Sequence, residues 1–178
     1  MPVLYAFING VTRLNAWIGR IASLLIFAMF GILLLGVFYR YALDAPTVWT
    51  TELTQFLFGL YAVLSGGYVM AHRGHVNVDI VYARFSPRAR AVLDIITSVL
   101  FFLFTGAVLY FGGLIAWESI DSMETTYSSW NPPVYPFKAA IPVAAFLLLL
   151  QGLAKLFEDI AIALGRMTPE PDNAEHRP

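Results

Sequence analysis

No cysteine occurs in this sequence, and only three histidines do. Disulfides, thiolate metal sites, iron–sulfur clusters and cysteine nucleophiles are therefore excluded. Charge is scarce too. Asp, Glu, Lys and Arg make up 13% of the chain, about half the share of a soluble domain. The formal net charge of −1 gives no field that would recruit nucleic acid or an anionic surface. Also missing are a glycine-rich phosphate loop, a Ser/His/Asp set and paired carboxylates inside an apolar stretch, so enzyme chemistry has no visible home. There is no internal repeat of the kind that builds many substrate-carrying transporters.

Long apolar runs take the place of these features. Four of them, Ile21–Tyr39, Leu53–Met70, Ala91–Trp117 and Ala139–Leu156, fill most of the 178 residues. A hydrocarbon core about 30 Å thick needs about 20 apolar residues at 1.5 Å each. In lipid each backbone polar group must be satisfied within its own segment, so each run is predicted to be a helix. The expected fold is all-α, an integral membrane protein with four transmembrane helices in one domain, residues 1–166. The proline-rich, mixed-charge stretch 167–178 is expected to be a disordered cytoplasmic tail. The first run exceeds the apolar core of a secretory signal and has no clear A-x-A site after it, so it is read as a retained helix.

Before that run, Leu4, Phe7, Ile8, Val11 and Leu14 share one helical face, which predicts a short interfacial helix. The polar connection 71–89 predicts a second interfacial segment, and Ser86-Pro87 is a helix-start signal. Thr47 or Thr50 is placed to cap the second helix. Small residues four apart (Ala62/Gly66, Gly112/Ala116, Ala140/Ala144) predict close helix packing. Gln55 and Gln151 read as interhelical hydrogen-bonding groups, and Glu52 and Asp94 as carboxylates near helix N-termini. The alternative for such acids is an ion path or a partner contact.

Nine of the eleven Lys and Arg fall on the side of the termini and the second connection, against Arg40 and Lys138 on the other. That bias predicts cytoplasmic termini. All four tryptophans lie near predicted helix ends or in the last outer loop, where an aromatic belt belongs. His72, His75 and Asp79 have a spacing open to metal ligation, but two imidazoles and one carboxylate make an incomplete set. Histidines on facing helices, which a haem would need, are absent.

Arg40-Tyr41, then Pro46, Trp49 and Glu52, then Gly66, then His75-Val76-x-Val78-Asp79 and Arg84 together resemble the small membrane subunit of tripartite ATP-independent periplasmic (TRAP) transporters. Trp130-Asn131-Pro132-Pro133 and Tyr135-Pro136 also look like family members. The resemblance implies a bacterial inner-membrane protein that pairs with a large permease subunit and is served by a periplasmic solute-binding protein. The large subunit would carry the organic acid and the sodium, so no catalytic, cofactor or metal residue is expected in this chain. Arg40, Trp49, Glu52, His75, Asp79 and Arg84 carry over as scaffold or interface candidates. The expected role is a non-catalytic scaffold in the lipid bilayer. A self-contained four-helix channel or carrier is the alternative, and it requires polar groups converging at mid-membrane.

Overall fold

A computed structural model describes residues 2–72 and 85–165. It contains four helices: α1 (Pro2–Ala42), α2 (Trp49–Ala71), α3 (Pro87–Asp121) and α4 (Tyr135–Ala163). Each is long and apolar enough to cross a membrane, as the four runs predict. At 1.5 Å per residue they measure roughly 61, 34, 52 and 43 Å. Only α2 is close to the thickness of a hydrocarbon core, so the others must tilt or project beyond it.

One expected element merges with its neighbour. The short N-terminal interfacial helix is not separate but forms the first turns of an unbroken α1. No proline interrupts Asn15–Ile21, and Gly19, the glycine in that stretch, lies against the ring of Tyr68. The amphipathic face finds protein there. Val11 and Asn15 are buried, and Phe7 meets Phe157 edge-on at 6.3 Å. The expected second interfacial segment with His75, Asp79 and Arg84, and the tail 167–178, lie outside the described residues.

The helices do not close into a ring. α4 packs on α3 along most of its length and also touches α2 and α1, while α1 packs mainly on α2. Accordingly 28% of the apolar window of α4 is buried, against 6% in each other helix. Small residues set the α3–α4 register. Gly112 lies under Ile141 and Pro142, and Gly152 lies under the Phe101 ring. Eleven residues along α3 thus match eleven back along α4, which is three turns of each helix. A Cβ at Gly152 would overlap Phe101, so the contact admits only glycine unless the ring shifts. Ala116 and Ala144 are buried, as their spacing predicts.

The Ala62/Gly66 expectation fails. Ala62 is exposed and a Cβ at Gly66 would meet nothing within 4 Å. The close approach is one residue on, at Gly67 against the Asn15 side chain. Spacing identifies a stripe, but a shift of one residue turns the helix by about 100°. The cap at Ser86 is as predicted: its hydroxyl accepts from the Ala89 N–H at 3.3 Å, with proline in the first turn. The cap of α2 is not. Val48 occupies the N-cap and gives no side-chain bond, while the Thr47 and Thr50 hydroxyls bond each other at 2.7 Å.

Two buried amides meet between α1 and α4. Asn15 Nδ2 donates to Gln151 Oε1 at 3.1 Å and to the Val11 carbonyl at 3.2 Å. Gln151 Nε2 donates to Thr12 Oγ1 at 3.3 Å. This network joins α1 to α4 beside Gly67, about 27 Å along α2 from Trp49. Gln55, by contrast, is exposed and makes no interhelical bond among the described residues. Near mid-membrane only the Thr105 hydroxyl is buried without a partner among the described residues.

These two polar features should respond oppositely to substitution. Asn15→Ala is expected to lower stability by about 0.6–1.7 kcal/mol, the range for polar contacts between membrane helices. It should be non-additive with Gln151→Ala, because the two amides share a bond. Thr105→Val removes an unpaired hydroxyl at constant shape and should leave stability unchanged or raised. Thermal unfolding in detergent, followed by size-exclusion chromatography, measures all three.

Candidate functional site

With the buried amides bonded to each other, the charged groups of the described residues lie toward the two ends. At one end the α3–α4 connection folds over the start of α2. It turns back on itself through an isolated bridge between Thr125 and Pro133. Thr126 N–H donates to Pro132 O at 3.1 Å and Val134 N–H to Glu124 O at 2.9 Å. Glu124 N–H reaches Ser119 O at 3.0 Å, which ties the turn to the end of α3.

Ser128 is the centre of this cap. Its hydroxyl donates to Glu52 Oε2 at 2.8 Å and accepts from the Asn131 N–H at 2.9 Å. A serine has one O–H to donate, so in the 2.9 Å contact with Thr126 Oγ1 the threonine is the donor. Asn131 Oδ1 in turn accepts from the Tyr127 N–H at 3.0 Å. Beside this chain the Trp49 and Trp130 rings lie 6.4 Å apart, and Phe56 stacks on Phe137 at 4.4 Å and 12°. Met123, Tyr127 and Asn131 have φ of 48°, 55° and 52°, a region that non-glycine residues seldom occupy. The hydrogen bonds hold the turn in that conformation and leave Tyr127 projecting, 86% exposed.

An ion pair between Lys138 of α4 and Glu124 closes the base of the cap. The hydrogen bond from Lys138 holds the Glu124 carboxyl below its ordinary pKa. A depressed folded-state pKa means that the ionised pair stabilises the fold above the unfolded carboxylate pKa. The contribution is lost as pH falls through the depressed value.

At the opposite end Asp94 of α3 and Lys155 of α4 form an ion pair at 3.1 Å. His72 Nδ1 lies 3.0 Å from the Tyr68 carbonyl, with the two rings 4.1 Å apart, so its imidazole belongs to the end of α2. No cluster of metal-ligand residues occurs among the described residues.

Of the six candidates from the sequence, Trp49 and Glu52 come together under the cap. Arg40 stands apart. It is exposed on the last turn of α1 and has no ion-pair partner among the described residues. Glu52 turns to Ser128 instead of spanning the α1–α2 corner to Arg40. His75, Asp79 and Arg84 lie outside the described residues. Sequence reasoning missed Asn15 and Ser128. Asn15 had a signal only through Gln151, a lone amide in apolar surroundings that needs a partner in lipid. Ser128 had none, because its role depends on a turn whose shape the local sequence does not announce.

The cap should open on acidification. Amide hydrogen exchange of Thr126 and Val134, corrected for intrinsic rates, is expected to show protection at neutral pH. That protection should fall as pH drops below the ordinary carboxylate range. In Glu124→Gln it should be weaker at neutral pH and insensitive to pH, and Ser128→Ala should increase solvent exposure of Trp130 fluorescence.

Comparison with known proteins gives this arrangement a lineage. The chain is 31% identical over 119 residues to the isethionate TRAP transporter permease protein DctMQ of Oleidesulfovibrio alaskensis, covering 62% of the chain and 18% of that protein. It is 24% identical over 144 residues to the sialic acid TRAP transporter permease protein SiaT of Haemophilus influenzae, covering 79% of the chain and 22% of that protein. The chain thus spans about a fifth of the length of these relatives. The model for the DctQ component of tripartite ATP-independent periplasmic transporters matches residues 29–162, which run from the middle of α1 nearly to the end of α4. A four-helix membrane protein that matches this model over most of its length is a member of the DctQ family, a component of TRAP transporters.

Proposed function

We propose that this chain is the non-catalytic scaffold subunit of a sodium-coupled importer of an organic acid in a bacterial inner membrane. In this reading both termini are cytoplasmic and the Ser128 cap faces the periplasm, as the Lys/Arg bias argues. A large permease subunit carries the solute and the sodium, and a periplasmic solute-binding protein delivers the solute. The names of the two relatives, an isethionate and a sialic acid permease protein, favour an organic anion. The four-fifths of each relative that this chain does not cover leave room for a larger transport unit.

The observation that carries the reading is where the polar groups lie. Ions crossing a membrane need converging oxygens or charges along their path. Here the ion pairs lie toward the ends, and the buried amides of Asn15 and Gln151 are taken up by bonds to each other, to Thr12 and to backbone. Thr105 is the one buried hydroxyl near mid-membrane among the described residues. Such a body suits a fixed reference against which another subunit moves. Its broad apolar exposure on α1 and α3 serves lipid and partner helices, including Phe27 and Leu103, each more than 70% exposed.

Reconstitution separates this role from a self-contained channel. Proteoliposomes with this chain alone should show no solute flux above empty vesicles. Uptake should require the large subunit, the binding protein and an inward sodium gradient together. Flux of isethionate or sialic acid through this chain alone would overturn the scaffold reading.

A further inference from the structure

The α1–α2 pair touches closely where Gly36 meets Thr50. Next to that contact, further from the cap, a groove of about 420 Å³ opens between the two helices. Ile26, Phe30 and Leu33 line it from α1, and Gln55 and Phe58 from α2. Phe30 and Phe58 are each about 60% exposed, so the groove opens sideways toward lipid and not along the axis of the helices.

Two polar groups border this apolar groove, and neither has a partner among the described residues. Gln55 lines it with its methylene stem and leaves its exposed amide at the rim, where hydrocarbon offers no hydrogen bond. Arg40 lies seven residues beyond Leu33, two turns on along the same side of α1, in its last turn. It is exposed there, at the level where headgroups begin. An arginine in that position calls for an oxyanion, and a phosphate matches its fork of donors.

We propose that this groove holds one phospholipid of the bilayer. Its phosphate rests on Arg40, its ester carbonyls accept from the Gln55 amide, and an acyl chain lies along Leu33, Phe58 and Ile26. The volume falls in the range of small-molecule sites. A lipid also supplies, in one molecule, the anion, the acceptor and the chain that the groove lacks, in the order in which they are needed from the headgroup level inward. The proposal requires only that the chain spans a bilayer and does not depend on its role in transport.

Native mass spectrometry tests it on the intact chain, purified in mild detergent with any membrane subunit that accompanies it. After delipidation the protein is titrated with phosphatidylglycerol, or with diacylglycerol carrying the same acyl chains. One phosphatidylglycerol should be retained, and diacylglycerol about tenfold less tightly, as expected for loss of one charge-assisted contact. Arg40→Gln should bring phosphatidylglycerol down to the diacylglycerol level. Gln55→Leu should weaken both lipids, and Leu33→Trp should exclude both. Arg13→Gln, at the other end of α1, should behave as wild type. Equal retention in wild type, Arg40→Gln and Gln55→Leu would mean unspecific annular lipid and overturn the proposal, whether or not Leu33→Trp folds. Loss of an accompanying subunit in Arg40→Gln, with lipid occupancy unchanged, would also overturn it and give the groove to a partner helix.

Discussion

Helices in a bilayer gain little by hiding apolar side chains from one another, since lipid tails are as apolar as leucine. Association then depends on close approach of backbones and on a few polar contacts. In this chain α4 meets both needs. Gly152 admits Phe101, Ala144, Ala145 and Ala154 are buried, and Gln151 reaches Asn15 and Thr12. α3 holds to α4 through a constant register, and α1 and α2 join from the other side. Among the described residues α3 is joined to α1 and α2 mainly through α4.

This arrangement explains why the polar groups lie where they do. Ion pairs toward the ends lock the register between helices, where headgroups and water can share their solvation, and the buried Asn15 and Gln151 amides lock it further in by bonding each other. The lipid-facing middle stays apolar. Tight packing around one helix with polar locks along it makes a body that resists internal rearrangement. Wide exposed faces on α1 and α3 make the same body easy to seat among lipids and other helices. The capped end adds a preformed surface with strained backbone and projecting aromatics. Strain of that kind is held only where neighbouring bonds over-determine it, as the bonds of Ser128 and Asn131 do.

Much of this was legible from residue order. Apolar length alone gives four helices, and Ser86-Pro87 gives the start of α3. The Gly112/Ala116 and Ala140/Ala144 stripes point to the α3–α4 contact, and Gln151 to an interhelical bond. What stayed hidden depended on facing and on tertiary closure. The face of α2 that packs belongs to Gly67 and not Gly66, and nothing local distinguishes the two. The amphipathic N-terminal stretch fits a lipid interface and a partner helix equally well, and here α4 supplies the partner. Glu52 is visible as an acid near a helix start, but its link to Ser128 spans 76 positions and depends on how the cap folds.

A chain that stays a fixed body during transport keeps its internal distances, and one such distance can be measured. Because the chain has no cysteine, Tyr41→Cys and Trp117→Cys place spin labels on two exposed positions, one on α1 and one on α3. Double electron–electron resonance on the complete transporter in nanodiscs then reads their separation without sodium, with sodium, and with sodium plus loaded binding protein. One distance distribution, unchanged in all three states, is expected. A second population, or a shift larger than the spread of the labels themselves, would show that the chain rearranges in the transport cycle and would contradict the account.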